Sequence, residues 1–128
     1  MASKLHEGYC RLSHEQLFKT LRGLGLAEID AEIYLFLSKE GPQKGRNIGE
    51  ALKLYKQQLY HSLKNLQRKG CVKATHEHPS RFSAVPIEEA LSSFIKANLE
   101  EAQHIEENRK KTLSFWQAMM KENTRHRE

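Results

Sequence analysis

Between Lys56 and Val85 the apolar period changes from 3.6 residues to two across one glycine, which demands a one-sided helix, a sharp stop and then strands. Leu59, Leu63 and Leu66 form a single stripe of a helix over about Lys56 to Lys69. Gly70 stands just past its end, where a left-handed residue closes a helix. The run from Cys71 to Thr75 then alternates as a strand, His76 to Ser80 reads as a turn, and Arg81 to Val85 returns as a second strand.

Three helices are expected upstream. Ser13 and Gln16 have capping-box spacing, with Leu12 and Leu17 as a hydrophobic staple, so the first helix is expected over Ser13 to Arg22, stopped by Gly23 and Gly25. The second, Ala27 to Glu40, presents Ile29, Ile33 and Leu37 with Tyr34 and Phe36 beside them, and closes at Gly41 and Pro42. A shorter third, about Lys44 to Lys53, offers Ile48, Ala51 and Leu52 before a break near Leu54 and Tyr55. The fold class is therefore mostly α with a small β-wing: a winged helix-turn-helix in which the Lys56 to Lys69 helix follows a positioning helix.

Charge is concentrated on that unit. From Lys53 to Arg81 there are seven Lys or Arg and one acid, Glu77, a local net charge of +6 in a chain of net charge +5. A basic patch confined to one structural unit is the footprint of a duplex-binding module. Opposite the leucine stripe fall Gln57, His61, Lys64 and Arg68, with Lys56, Gln58 and Asn65 alongside. Gln and Asn can bond adenine through paired hydrogen bonds, while Lys and Arg reach guanine or phosphate oxygens. A solvated helix face explains the same residue types, but such faces usually mix both signs, and no acid occurs from Lys53 until Glu77. Arg46 on the positioning helix, and His78, Ser80 and Arg81 on the wing, are candidate contacts to the sugar-phosphate backbone.

The run from Leu24 to Leu37, then Gly41 and Pro42, then Leu59 to Val72, then Pro79 to Pro86 resembles the TrmB-like winged-helix transcriptional regulators common in archaea. The likeness covers about residues 17 to 95. It implies a DNA-binding fold whose recognition helix is the Lys56 to Lys69 stretch. MarR-like and ArsR-like winged helices share part of the pattern for the same packing reasons. Larger members of the resembled family carry a sugar-binding C-terminal effector domain, and the expectation here is a DNA-binding domain without one.

After the wing, about Ile87 to Lys121 carries neither Gly nor Pro and reads as one long helix. Leu91, Ile95, Asn98, Ala102, Ile105, Arg109, Thr112, Trp116 and Met119 recur at alternating spacings of four and three, a heptad seam whose polar members could fix register. Dimerisation through this helix is expected; a helix folding back on its own domain is the competing reading. From Pro86 to Glu107 the net charge is -5, and from Asn108 to Glu128 it is +4. Antiparallel pairing would juxtapose the opposite signs, although the same distribution also complements a helix macrodipole. The domain reading is a flexible segment 1–12, a winged helix-turn-helix 13–86, a coiled-coil-like dimerisation helix 87–122 and a basic tail 123–128.

Other chemistries have little support. His6, Cys10 and His14 are spaced by four, and Cys71, His76 and His78 share the wing, but neither group has zinc-site spacing, so no metal or cofactor is expected. A thiol sensor at Cys71 stays open. No Gly-rich phosphate loop, HExxH or GxSxG appears, so the chain does not read as an enzyme. With 128 residues and a mean hydropathy of -0.72, the chain is one domain, or one small domain plus an extended element. No apolar run approaches the roughly 20 residues that cross a bilayer, and the N-terminus lacks a secretory core, so a cytoplasmic protein is expected. The expected partners are double-stranded DNA and a second copy of the chain, with any small-molecule effector unassigned. The alternative is a winged-helix protein-interaction adaptor within transcription machinery.

Overall fold

The computed structural model describes residues 2–127, with side chains from 12 to 124. The chain divides into two units, Met1–Phe94 and Ile95–Glu128. In the first, α1 (Ala2–Gly23), α2 (Glu28–Glu40), β1 (Gln43–Lys44), α3 (Gly45–Leu52), α4 (Lys56–Arg68), β2 (Val72–Ala74) and β3 (Arg81–Ala84) follow in order, closed by the opening turns of α5 (Ile87–Glu107). The second holds the rest of α5 and α6 (Arg109–Arg127).

Helix α2 is the hub of the first unit. It buries Ala31, Ile33, Tyr34, Leu35 and Leu37, which is wider than one stripe, so neighbours must cover it on more than one side. Leu21 of α1, Ile48 of α3, and Leu59, Leu63 and Leu66 of α4 join Phe82, Val85, Ala90 and Phe94 in the same core. Each such Leu, Ile or Phe contributes about 1.5–3 kcal/mol through burial. The expected leucine stripe is thus what seats α4. The Tyr34 hydroxyl donates to the Val85 carbonyl at 2.7 Å, which pins the exit of the wing to α2. A bond of this kind is worth about 1 kcal/mol. Burial pushes the Tyr34 phenol up, so it stays a donor well into alkaline solution.

The wing is a three-stranded antiparallel sheet in the order β1-β3-β2. Val72, Lys73 and Ala74 face Ala84, Ser83 and Phe82, while Gln43 and Lys44 face Phe82 and Arg81. Strand β1 corrects the reading that began the third helix at Lys44. Two residues are too few to show a period, and β1 exists only because β3 offers it a ladder.

Two other expectations are revised. Helix α1 runs from Ala2 rather than Ser13, because a capping box acts only where the preceding chain leaves the helix, and here the chain before Ser13 stays helical. Leu12 and Leu17 are accordingly exposed rather than stapled. The reading of residues 1–12 as flexible concerns side chains that, Leu12 apart, lie outside the described ones, as does most of the basic tail. The long C-terminal helical stretch is present, but as α5 and α6 meeting at Asn108 and reaching Arg127 instead of stopping at Lys121. The Asn108 carboxamide donates to the His104 carbonyl at 2.8 Å, in competition with its own backbone N–H at 3.2 Å. Such side-chain competition loosens a helix without Gly or Pro.

Candidate nucleic-acid interface

Helices α3 and α4 are joined by three residues. Lys53 closes α3 in the left-handed region, with φ 55° and ψ 50°, where a non-glycine residue costs about 1–2 kcal/mol. The Leu54 N–H donates to the Gly49 carbonyl at 2.9 Å, which fixes the turn. Tyr55 is then extended and begins α4, and Gln58 accepts the Tyr55 N–H at 3.2 Å. Gln58 therefore engages its carboxamide oxygen in the cap, while its amide donors are turned to other partners only if they leave that bond in place.

The far end of α4 is equally well held. The Cys71 N–H donates to Leu66 and the Gly70 N–H to Gln67, at 2.8 and 3.1 Å, a Schellman closure with Gly70 at φ 77°. Glycine is required there twice over, because a Cβ would also lie 2.8 Å from the Ser93 Cβ. Beside it the Lys69 ammonium sits 5.6 Å from the centre of the Phe94 ring. Lys69 is thereby tied to α5.

The structure puts Lys56, Gln57, Gln58, His61, Lys64 and Arg68 in solvent on α4, opposite buried Leu59, Leu63 and Leu66. Asn65 is half-buried, its amide 3.4 Å from the His61 Nε2. Among the described residues, none of the seven cations from Lys53 to Arg81 has an acid within salt-bridge distance, so the charge of this face is not neutralised internally. Arg46 is exposed on α3 but pairs with Glu50 at 3.2 Å. His78 and Ser80 lie in the wing turn, where the Ser80 hydroxyl donates back to the Glu77 carbonyl at 3.2 Å. Arg81 starts β3 directly after the wing turn, held by reciprocal bonds with Thr75: its N–H reaches the Thr75 hydroxyl and its carbonyl accepts the Thr75 N–H.

Sequence reasoning missed three residues of this surface. Tyr55, at the leading edge of α4, is 80% exposed, and Tyr60 on the same helix is 46% exposed. A large aromatic beside a basic helix was the available signal for both. Lys44 was absorbed into a helix, whereas it is exposed in β1 opposite Arg81.

Cys71 is buried, and burial pushes its thiol up, only partly offset by Lys69. A reactive thiolate needs the reverse. Among the described residues no three His, Cys, Asp or Glu side chains gather as a metal site. The side chains of His6 and Cys10 lie outside those residues. No helix of the described residues is long and apolar enough to cross a membrane.

Residues 21–88 match the family described as the sugar-specific transcriptional regulator TrmB. Among solved structures, the transcriptional regulator Tm0710 from Thermotoga maritima is similar over 97% of this chain and 95% of its own, with TM-score 0.53 and 18% identity. TrmBL2, described as an archaeal chromatin protein, gives TM-score 0.62 and 19% identity over 84% of this chain, which spans 42% of that protein. A mutant of the Staphylococcus aureus protein MepR, bound to an oligodeoxyribonucleotide, gives TM-score 0.51 and 14% identity over 93% of this chain and 96% of its own. No curated protein matches the chain in sequence. At these identities the structural likeness bears on the fold, which is that of winged-helix regulators.

Proposed function

The chain belongs to the TrmB family of transcriptional regulators, and from that premise we propose that it is a cytoplasmic, homodimeric, sequence-specific binder of duplex DNA. Helix α4 enters the major groove of each half-site, and the turn 76–81 lies along the backbone. The observation that carries this reading is the outer face of α4, where Lys64 and Arg68 are exposed and, among the described residues, make no ion pair, while the leucines behind them fix the helix on the core. Gln57, His61 and Asn65 are the candidate base readers, Lys56, Lys64 and Arg68 reach guanine or phosphate, and Arg46, His78, Ser80 and Arg81 position the backbone.

The second copy is called for by the unit Ile95–Glu128. Ile95, Leu99, Ile105, Leu113, Phe115, Trp116 and Met119 are all at least half exposed there, more apolar surface than a lone helical segment holds in water without a partner. The seam of Ile95, Asn98, Ala102, Ile105, Trp116 and Met119, continued by Leu91 of α5, packs against its copy. Antiparallel packing sets the acidic α5 against the basic α6.

Selection of binding sites from a random duplex library tests the reading. We expect enriched sequences with two inverted half-sites, spaced by one helical turn of about 10 base pairs or a multiple of it. Enrichment of a single asymmetric site would count against the dimer, and no enrichment would count against sequence-specific binding.

A further inference from the structure

Where β1 meets the start of β3, an open polar recess is lined by Gln43, Lys44, Arg46, Asn47, Glu50 and Arg81. Its composition departs from what sheet stability favours. Lys44 and Arg81 are register partners of the antiparallel β1–β3 pair. Directly opposed residues project to the same side with Cβ atoms about 4.5–5.5 Å apart, and like charges so placed repel. The one acid lining the recess, Glu50, is already taken by Arg46 at 3.2 Å. Among the described residues neither Lys44 nor Arg81 has an acid within salt-bridge distance. Arg81 is moreover held in place by its two backbone bonds with Thr75, both 2.9 Å. Two facing cations on a fixed ladder, without a counter-charge of their own, make a site for one shared anion.

We propose that Lys44 and Arg81 together grip one phosphodiester of the duplex backbone, beside the groove that α4 reads; the assignment rests on the DNA-binding reading above. The planar guanidinium of Arg81 takes two phosphate oxygens, and the Lys44 ammonium adds a point charge. Because the two cations share one phosphate, they act as a unit instead of as two independent contacts. The anion belongs to DNA rather than to free phosphate, since β1 leads directly into α3 and the recess therefore adjoins the helix-turn-helix.

The test is the dependence of log affinity on log salt for a labelled duplex, measured for the wild type, Lys44→Ala, Arg81→Ala, the double variant and Arg81→Lys. Each phosphate contact contributes about 0.9 to the slope. Each single alanine variant leaves the other cation on the phosphate and is expected to change the slope little, whereas the double variant loses about 0.9 per half-site and Arg81→Lys little. Thermal midpoints without DNA should not fall, since each alanine removes a repulsion. An unchanged slope in the double variant would overturn the assignment, as would single variants losing about 0.9 each and a double variant losing about 1.8 per half-site, the mark of two separate phosphates. Saturable binding of inorganic phosphate alone, seen by phosphorus NMR and lost in Lys44→Ala, would overturn the duplex as the source of the anion. Failure of the wild type to bind any duplex would overturn the DNA-binding reading and this assignment with it, whereas wild-type binding with an unchanged slope in the double variant overturns this assignment alone.

Discussion

A Lys64→Ala, Arg68→Ala double variant is expected to lose on the order of a thousandfold in affinity for its DNA site while keeping its fold. The size follows from counting: two contacts in each protomer make four in a dimer, each worth at least about 1 kcal/mol, and about 1.4 kcal/mol is tenfold. The fold is spared because both side chains are exposed on α4 and neither makes an ion pair among the described residues. Circular dichroism and the thermal midpoint therefore serve as controls. Those of the double variant should match the wild type within the scatter of surface substitutions, about 0.5 kcal/mol. A loss of less than a few-fold, with the fold intact, would mean that the outer face of α4 does not meet DNA.

The second large effect is on assembly. Trp116→Ala should raise the dimer dissociation constant by roughly a thousandfold, because a central Trp anchor is worth about 2 kcal/mol or more and the substitution acts in both copies. The joint hold on two half-sites goes with it, since a monomer grips only one. The wild type supplies its own reporter: Trp116 is the one tryptophan of the chain. Trp116 is 56% exposed in the single chain, so dimerisation should shift its emission to the blue as protein concentration rises, in step with the mass from sedimentation equilibrium. Emission that stays characteristic of a solvated indole, together with a monomer mass at every concentration, would contradict the seam.

The legible parts of the fold are those written in periods long enough to count. Leu59, Leu63 and Leu66 with Gly70 gave away α4 and its end, and the alternation after Cys71 gave away the hairpin, because in both the local preference and the tertiary environment agree. Strand β1 was invisible for the opposite reason. Gln43 and Lys44 have no pattern of their own and become a strand only by pairing with Phe82 and Arg81. With β1 went Lys44, the one cation of the proposed phosphate site that charge counting on the helix-turn-helix did not single out. The start of α1 was misread because Ser13 and Gln16 offer a cap that the chain does not use. The break at Asn108 escaped notice because it arises from one side-chain bond to the His104 carbonyl rather than from a glycine or proline.

The site was more legible than its geometry. The acid-free run from Lys53 to Glu77 located the charge, and the helical period sorted Gln57, His61, Lys64 and Arg68 onto the outer face. What the residues alone could not convey is how these groups are already engaged: Gln58 in its own cap, Lys69 over Phe94, Arg46 with Glu50 and Ser80 in the wing turn. These engagements rank Lys64 and Arg68, which have no ion pair among the described residues, above the others as contributors to binding.

The central claim, that the unneutralised basic face of this chain binds duplex DNA, is tested most directly by fluorescence anisotropy of a labelled random-sequence duplex titrated with protein at low and near-physiological salt. Binding is expected at low salt and should weaken steeply, with a log-log slope of about -0.9 for every phosphate contacted in the dimer. A flat response to salt, or no binding even at low salt, would contradict the account and turn attention to a protein partner for the exposed face of α5 and α6.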